Sequence, residues 1–438
     1  MRRRRTRTWV NWSGTVRCEP AYCARPVTVE EIQSEVVRVA EEGERLRVIG
    51  GGHSFAPLCW TDDNHLSLER FTGIESADLE RRRVWVRAGT RLQRLCEALA
   101  DRGLALENAP DFDQQTLGGA LATGTHGSGA AFGNLGSLVT GLRLVCADGS
   151  LHSLSAEQDP DLFRAAVVSL GAMGVVTHVE LQCVDDYRLE LRTQAATLGE
   201  TLTRIDSFRR DHRNSEFFWF PYTDSVVLRT ADVTREQPTR LSPLQRAARR
   251  TTDRIVFRGM AEAARRTPHM AEQFGRLATR MVSGRRDVLS ARTAYALQRR
   301  LRFQQLEFAL PVTRLDPVLR SLDRIIKALA FRIHFPIEVR FVAGDDNWLS
   351  PHYGRDSACI SVPAYPDISY EAYFAPIAEL MERNDGRPHW AMLHDLKAEQ
   401  LRALYPRFDD FRAQRRRCDP RGLFLNPHLA AIFGEDLR

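Results

Sequence analysis

Hydrophobic positions change their spacing along the chain, and those changes divide it. The run Leu46-Arg47-Val48-Ile49 stops at three consecutive glycines and predicts a strand that ends at Gly50. Ahead of it, residues 27–42 carry apolar side chains at helical spacing behind Thr28, with Glu30 and Glu31 in the first turn, which predicts a capped helix. Residues 83–87 alternate like a strand, 92–100 read as helix, 138–144 and 175–183 as strands, and Ala147-Asp148-Gly149 as a hairpin turn. Beyond residue 187 the texture changes. Strands are predicted at 217–220, 226–228, 303–310 and 336–342, with an arginine-rich helical span between the second and third. A helix is predicted over 314–330 and one long helix over 395–417, stopped by Asp419-Pro420, after which 423–433 return to the first half. The pattern predicts an α+β fold rather than a doubly wound dinucleotide fold. Its parts are a first domain over 1–185, a second α+β domain over 186–415 and a closing segment over 416–438.

A length of 438 residues agrees with two or three cores, and 43% hydrophobic residues is ordinary for a soluble globular protein. No stretch approaches the roughly 18 apolar residues of a spanning helix. The basic N-terminus has no apolar segment behind it, so it reads as a tail rather than a secretory signal, and the cytoplasm is the expected location. The eight cysteines are scattered without a CxxC pair, which predicts reduced thiols and no zinc or other metal site. Lys327 and Lys397 are the only lysines, so amine chemistry is nearly excluded. Charge is uneven: residues 235–302 hold 17 arginines against 5 acidic residues, a local +12 within a chain of net +6, leaving −6 elsewhere. Leu244, Ala247, Ala248 and Ile255, then Phe274, Leu277 and Met281, make that segment amphipathic. It reads as a solvated helical face on the second domain or as a peripheral contact with an anionic membrane. Few aromatics and no nucleic-acid motif argue against nucleic acid as a partner.

Two glycine-rich stretches carry candidate chemistry. Gly50-Gly51-Gly52-His53-Ser54 and the small-residue run 116–129 lack both the GxGxxG and the Walker pattern, yet each supplies backbone donors for a phosphate. Alone, the first also reads as a tight turn with a solvated histidine. Glu338 and Arg340 flank one residue of a predicted strand and share a face, which alone also fits a surface ion pair.

In combination these stretches resemble the FAD-binding PCMH-type domain of the vanillyl-alcohol-oxidase type of flavoprotein. Within it they resemble the aldonolactone oxidase and alditol oxidase branch. The resemblance runs from Trp9-Val-Asn-Trp-Ser13 and Arg25-Pro26 through the two glycine stretches. It continues over Gly171-Ala-Met-Gly-Val-Val-Thr177, residues 217–224, Glu338-Val-Arg340 and His389-Trp390, and ends at residues 419–426.

The resemblance implies FAD joined covalently to His53, by one link only, since no cysteine lies at 108–118. It places Gly50, Gly51, Gly52 and Ser54 on one side of the pyrophosphate and Thr116, Gly119, Thr123 and Gly124 on the other. Asp111 and Asn426 join the cofactor set, and Val175 and Val176 bring backbone groups near the ring or adenine. His126 reads equally as structural. The second domain becomes a substrate-covering cap in which Glu338 and Arg340 hold substrate hydroxyls, with Ser361, His389 and Met392 beside them. Two departures stand out. Relatives of this kind commonly carry a lysine where Met392 stands, and alditol oxidases a histidine about where Ser361 stands. A softer wall of that sort disfavours a free pentitol and favours a lactone or a larger secondary-metabolite alcohol. The implied reaction is oxidation of a CH–OH group by hydride transfer to the flavin, with molecular oxygen as acceptor and hydrogen peroxide as product. A tailoring reaction of another kind, or a dehydrogenase with a different acceptor, is the alternative.

Overall fold

The computed structural model describes residues 8–239, 271–294, 302–329 and 335–437. Strands Tyr22–Ala24, Asn64–Ser67 and Leu46–Ile49 form a small parallel sheet in that spatial order. The helix Val29–Glu41 lies between two of them in sequence. The Thr28 hydroxyl caps it by accepting from the Glu31 amide, and Ile32, Val36 and Val39 are its buried stripe. A second, antiparallel sheet runs Leu151–Ser155, Val139–Val145, Val175–Gln182, Arg83–Arg87, Ile74–Asp78. The turn at residues 147–149 joins its first two strands, with the Gly149 amide donating to the Cys146 carbonyl.

The second half is built on one eight-stranded antiparallel sheet. Its order is Arg286–Ser290, Arg188–Thr197, Ser225–Val233, Asn214–Trp219, Ile337–Val342, Ser357–Ala364, Gln304–Pro311, Arg387–Pro388. Side chains alternate across such a sheet, so each strand presents two kinds of surface. One face carries Phe217, Trp219, Val339, Phe341, Ile360, Leu306 and Phe308, all at most 1% exposed. The helix Leu315–Ala328 turns Leu315, Val318, Leu319, Leu322 and Ile326 into the same core. The other face is polar, although it too is buried, because the first half of the molecule covers it. Gly129 donates its amide to the Phe341 carbonyl at 2.8 Å, and Ala343 donates to Phe132 at 2.8 Å, which fastens the two halves across that face.

The closing segment packs back as the sequence predicts. Leu46 donates its amide to the Leu423 carbonyl at 2.9 Å. Arg47, 2% exposed in the sheet, donates to the carbonyls of Leu58, Leu170, Gly171 and Phe424. Burial pulls its guanidinium down to about 10, so those four carbonyls replace the water it has lost.

One sequence expectation needs correction. The predicted helix over 395–417 is two helices, Ala398–Leu404 and Phe408–Cys418. Pro406 has no amide hydrogen and disfavours helical backbone at Tyr405, which sits at φ −109°, ψ 105°. In the arginine-rich segment, residues 240–270 and 295–301 lie outside the described residues. The helix Ala271–Val282 is present, but its buried side is Ala278 and Thr279, whereas Leu277 and Met281 are 48% and 39% exposed. Leu277 and Met281, two of the apolar positions noted in the sequence, therefore lie on the exposed side of this helix.

Candidate active site

The glycine stretches meet. The loop after Leu46–Ile49 runs against Gln114 and Thr116, so closely that a Cβ on Gly50 would overlap the Thr116 hydroxyl. A Cβ on Gly51 would stand 3.0 Å from the Gln114 carbonyl, and Gly52 has φ +67°. Only glycine fits that path. The N-terminal strand-turn pins the loop: Trp12 donates its amide to the Gly52 carbonyl at 2.7 Å, and Asn11 Nδ2 donates to the Ser54 carbonyl at 3.0 Å. His53 emerges from the loop into a cleft, where Phe112 packs edge-on at 4.6 Å between ring centres and Trp12 lies at 6.1 Å.

The cleft has an empty volume of about 670 Å³, part of it open to solvent. Trp12, His53, Phe55, Phe112 and Gln115 line one side, with Thr125 and His126 beyond them. The polar face of the large sheet supplies the opposite side: Gln305, Glu307, Glu338, Arg340 and the segment His389, Ala391, Met392. Strand register explains the juxtaposition. Arg229, Glu216, Arg340 and Cys359 stand opposite one another in successive strands, and Phe218, Glu338, Ser361 and Glu307 form the next row.

The first row is a buried ion cluster. Arg340 donates from Nη2 to Asp111 at 2.6 Å and from Nε to Glu338 at 2.9 Å, and its Nε lies 3.1 Å from Glu216. Arg229 bridges Asp111 at 2.7 Å and Glu216. Burial works against the Arg340 charge, but Asp111, Glu338 and Glu216 outweigh it and hold the guanidinium well above its ordinary range. Three carboxylates face two guanidiniums, and burial pushes the most enclosed carboxyl, Glu216, up to about 7. These bonds occupy Nε and Nη2 of Arg340 and leave Nη1 for an oxygen in the cleft.

A second network stands beside it. His126 Nε2 lies 2.9 Å from Glu307 Oε1, and His126 Nδ1 lies 2.8 Å from the Gly127 carbonyl. The other Glu307 oxygen accepts from Ser361 Oγ and from Gln305 Nε2. Burial opposes ionisation of Glu307, but His126 and Ser361, together with the field of His389, hold it below the usual carboxylate range. One proton is therefore held between His126 and Glu307. His389 accepts at Nδ1 from the Ala391 amide at 3.2 Å, which fixes its ring, and burial lowers it to about 4, so it stands neutral against the cleft. His126, Glu307 and His389 also form a trio of metal-ligand type, although both Glu307 oxygens are already engaged.

The structure thus brings His53, Asp111, Glu338, Arg340, His389 and Met392 to one cleft. It gives other tasks to several predicted residues. Asp111, assigned to the cofactor from the sequence, lines the cleft and anchors Arg340 and Arg229 through Oδ2. Ser361 is 2% exposed behind Glu307 and does not reach the cleft wall, so its substrate role is replaced by support of that carboxylate. Asn426 is also corrected. Its Oδ1 caps the helix Pro427–Phe433 and its Nδ2 donates to the carbonyls of Pro57, Leu58 and Trp60, which leaves nothing for a cofactor. The Thr123 hydroxyl turns back to the Gly119 and Ala120 carbonyls, so only its backbone remains for a ligand. Gly119 and Gly124 sit within and just after the short helix Leu117–Ala122, Gly124 at φ +67°. Val175 and Val176 pair with Val145 and Leu144 outside the cleft lining. Glu307, Gln305, Glu216 and Arg229 were missed. The signal for the first two was polar residues alternating with Leu306 and Phe308 in an otherwise apolar strand.

FAD fits the glycine side: the Gly50–Gly52 loop, too tight for side chains, presents backbone beside the small-residue stretch that begins at Thr116. In the wall above it, Gln115 Oε1 is buried with no protein donor. A family model described as an FAD binding domain matches residues 20–155, and one for D-arabinono-1,4-lactone oxidase matches residues 179–432. An L-gulono-1,4-lactone dehydrogenase of Mycobacterium tuberculosis (strain ATCC 25618 / H37Rv) is 37% identical over 426 residues, covering 97% of this chain and 99% of the relative. An L-gulonolactone oxidase of Scyliorhinus torazame is 32% identical over 434 residues, covering 97% of each chain. A solved structure of a solvent-stable cholesterol oxidase superposes with a TM-score of 0.81 at 18% identity, covering 97% of each chain, and shares the fold. The expected α+β fold with a PCMH-type FAD domain therefore holds, and the chain belongs to the D-arabinono-1,4-lactone oxidase family as an FAD-dependent oxidoreductase acting on CH–OH donors.

Proposed function

We propose that the chain oxidises the CH–OH group of a sugar 1,4-lactone and that its FAD is bonded to His53. The observation that carries this reading is the position of Arg340 and Glu338 across one cleft from His53. Bound FAD supplies a hydride acceptor at N5. Arg340 Nη1 would hold the reacting oxygen and favour its alkoxide character as the hydride departs, since its guanidinium is already fixed by three carboxylates. Glu338, on the same strand face, would accept from the neighbouring hydroxyl. His389, neutral and ring-locked, would donate from Nε2 to the lactone. The two halves of the protein wall the cleft on opposite sides, which holds a bound lactone between them.

Oxygen is the acceptor in this reading, giving hydrogen peroxide. The relatives include both an oxidase and a dehydrogenase, so the acceptor is set by local access rather than by the family. Eight free thiols suit the cytoplasm. Met392, Phe55 and Trp12 favour a second reading in which the lactone carries an apolar arm, as an intermediate of secondary metabolism would. Peripheral membrane contact through the arginine-rich segment would leave this chemistry unchanged.

The test is an absorbance spectrum of the purified protein before and after acid precipitation. Flavin that stays with the pellet, and leaves it in His53→Ala, supports the link. Flavin released to the supernatant overturns the link but keeps the cofactor. Turnover of γ-lactones of aldonic acids, followed with oxygen and with a dye acceptor, then tests substrate and acceptor separately.

A further inference from the structure

Cys146 closes the strand Val139–Val145, and Cys418 closes the helix Phe408–Cys418, 272 positions later in the chain (418 − 146). The fold lays these two ends side by side. Ala147 donates its amide to the Cys418 carbonyl at 2.9 Å, and each thiol is the main influence on the ionisation of the other, so the two sulfurs are neighbours. Both are in the main core, 3% and 4% exposed, yet the turn that follows Cys146 reaches solvent at Asp148. The bond from Ala147 sets the residue next to Cys146 against the backbone of Cys418, the neighbourhood a disulfide requires.

We propose that Cys146 and Cys418 are an oxidisable pair, which hydrogen peroxide converts to a disulfide fastening the closing segment to the FAD-binding half. The thiolate of one cysteine attacks a peroxide oxygen, giving a sulfenic acid and, with one proton, water. The second thiol then attacks that sulfur, forming the S–S bond and releasing a second water. Two thiols lose two electrons and two protons, and one peroxide becomes two waters. The neighbouring Cys418, and then burial, raise Cys146, while Cys146 lowers Cys418, so Cys418 is the attacking partner. The bond has a structural purpose: the segment just beyond it supplies Leu423 and Phe424, whose carbonyls hold Leu46 and Arg47 below the His53 loop. The other six thiols do not share this arrangement. Cys96 and Cys183, for example, are raised chiefly by burial to about 12, which keeps them protonated.

The experiment treats the flavin-loaded full chain with millimolar hydrogen peroxide, quenches with catalase, alkylates all remaining thiols under denaturing conditions and maps the peptides by mass spectrometry. The expected result is a loss of two alkylatable thiols from eight, a linked peptide pair containing Cys146 and Cys418, and a thermal midpoint raised by about 5 °C that dithiothreitol reverses. Cys418→Ser removes both changes, whereas Cys96→Ser leaves them. Eight alkylatable thiols after treatment, or a link between other cysteines, overturns the proposal. Should Cys418→Ser fail to fold, the peptide map of the unmodified chain decides alone.

Discussion

The two walls of the cleft are made of different material. The FAD wall is contiguous in sequence: Gly50 to Ser54 and the small-residue run Thr116 to Gly124 shape it, with glycines where the chain passes closest to its neighbours. The substrate wall is side chain: Glu307, Glu338 and Arg340 line it, Glu216 and Arg229 back it from two further strands, and the five act through their charge balance. The first wall should fail by steric exclusion and the second by electrostatic imbalance, so substitutions in the two should have different signatures.

The largest effect is expected at Arg340. Arg340→Met leaves three carboxylates facing one guanidinium, and kcat/KM on the lactone substrate should fall about 10²–10³-fold, mostly in kcat. Stability should fall by about 3–5 kcal/mol. Flavin content should hold, and loss of flavin would show that the walls are not separable. Gly50→Ala should do the reverse. It should cost about 1–3 kcal/mol of overpacking against Thr116, seen as about a tenfold or greater drop in the flavin-to-protein absorbance ratio. Whatever flavin remains should turn over at a near-normal rate per flavin, and a kcat loss on that fraction would blur the distinction.

A third expectation concerns pH. The Glu216 carboxyl binds its proton more tightly folded, at about 7, than its ordinary value of 4.5. That contribution to stability is full below pH 4.5 and is lost as pH rises through 7. His389, lowered from 6.5 to about 4, acts oppositely: its contribution is full above 6.5 and is lost as pH falls through 4. Glu216→Gln should therefore flatten the decline in thermal midpoint between pH 5 and 7.5 while the His389 slope persists. An unchanged profile would mean that Glu216 stays ionised. The smallest effect is expected at Ser361, where Ser361→Ala should change KM less than about threefold, since its hydroxyl meets Glu307 rather than substrate. A tenfold change would return Ser361 to the cleft wall.

The same contrast explains what could be read in the sequence. A backbone-built wall is contiguous in sequence, so three glycines before His53 announced it, and Glu338-x-Arg340 was legible because period two is local. The ion cluster was not. Arg229, Glu216 and Arg340 meet through register across neighbouring strands, and residue spacing does not state which strands are neighbours. Ser361 was misplaced for that reason: it does share a face with Glu338, but the neighbouring strand puts Glu307 in front of it. Asn426 was misread although its signal was present, since asparagine before proline is a helix start and the structure uses it as one. The single helix drawn over 395–417 passed through Pro406, where the chain's own chemistry forbids it.

The Arg47 guanidinium, held by the carbonyls of Leu58, Leu170, Gly171 and Phe424, has a consequence for synthesis. Its last partner is 377 residues away. At about 5–20 residues per second, a ribosome delivers Phe424 roughly 20–75 s after Arg47. Throughout that interval the strand beneath the His53 loop carries a cation with an unfinished shell. The strand that leads into the His53 loop is therefore completed only when the last part of the chain has been made.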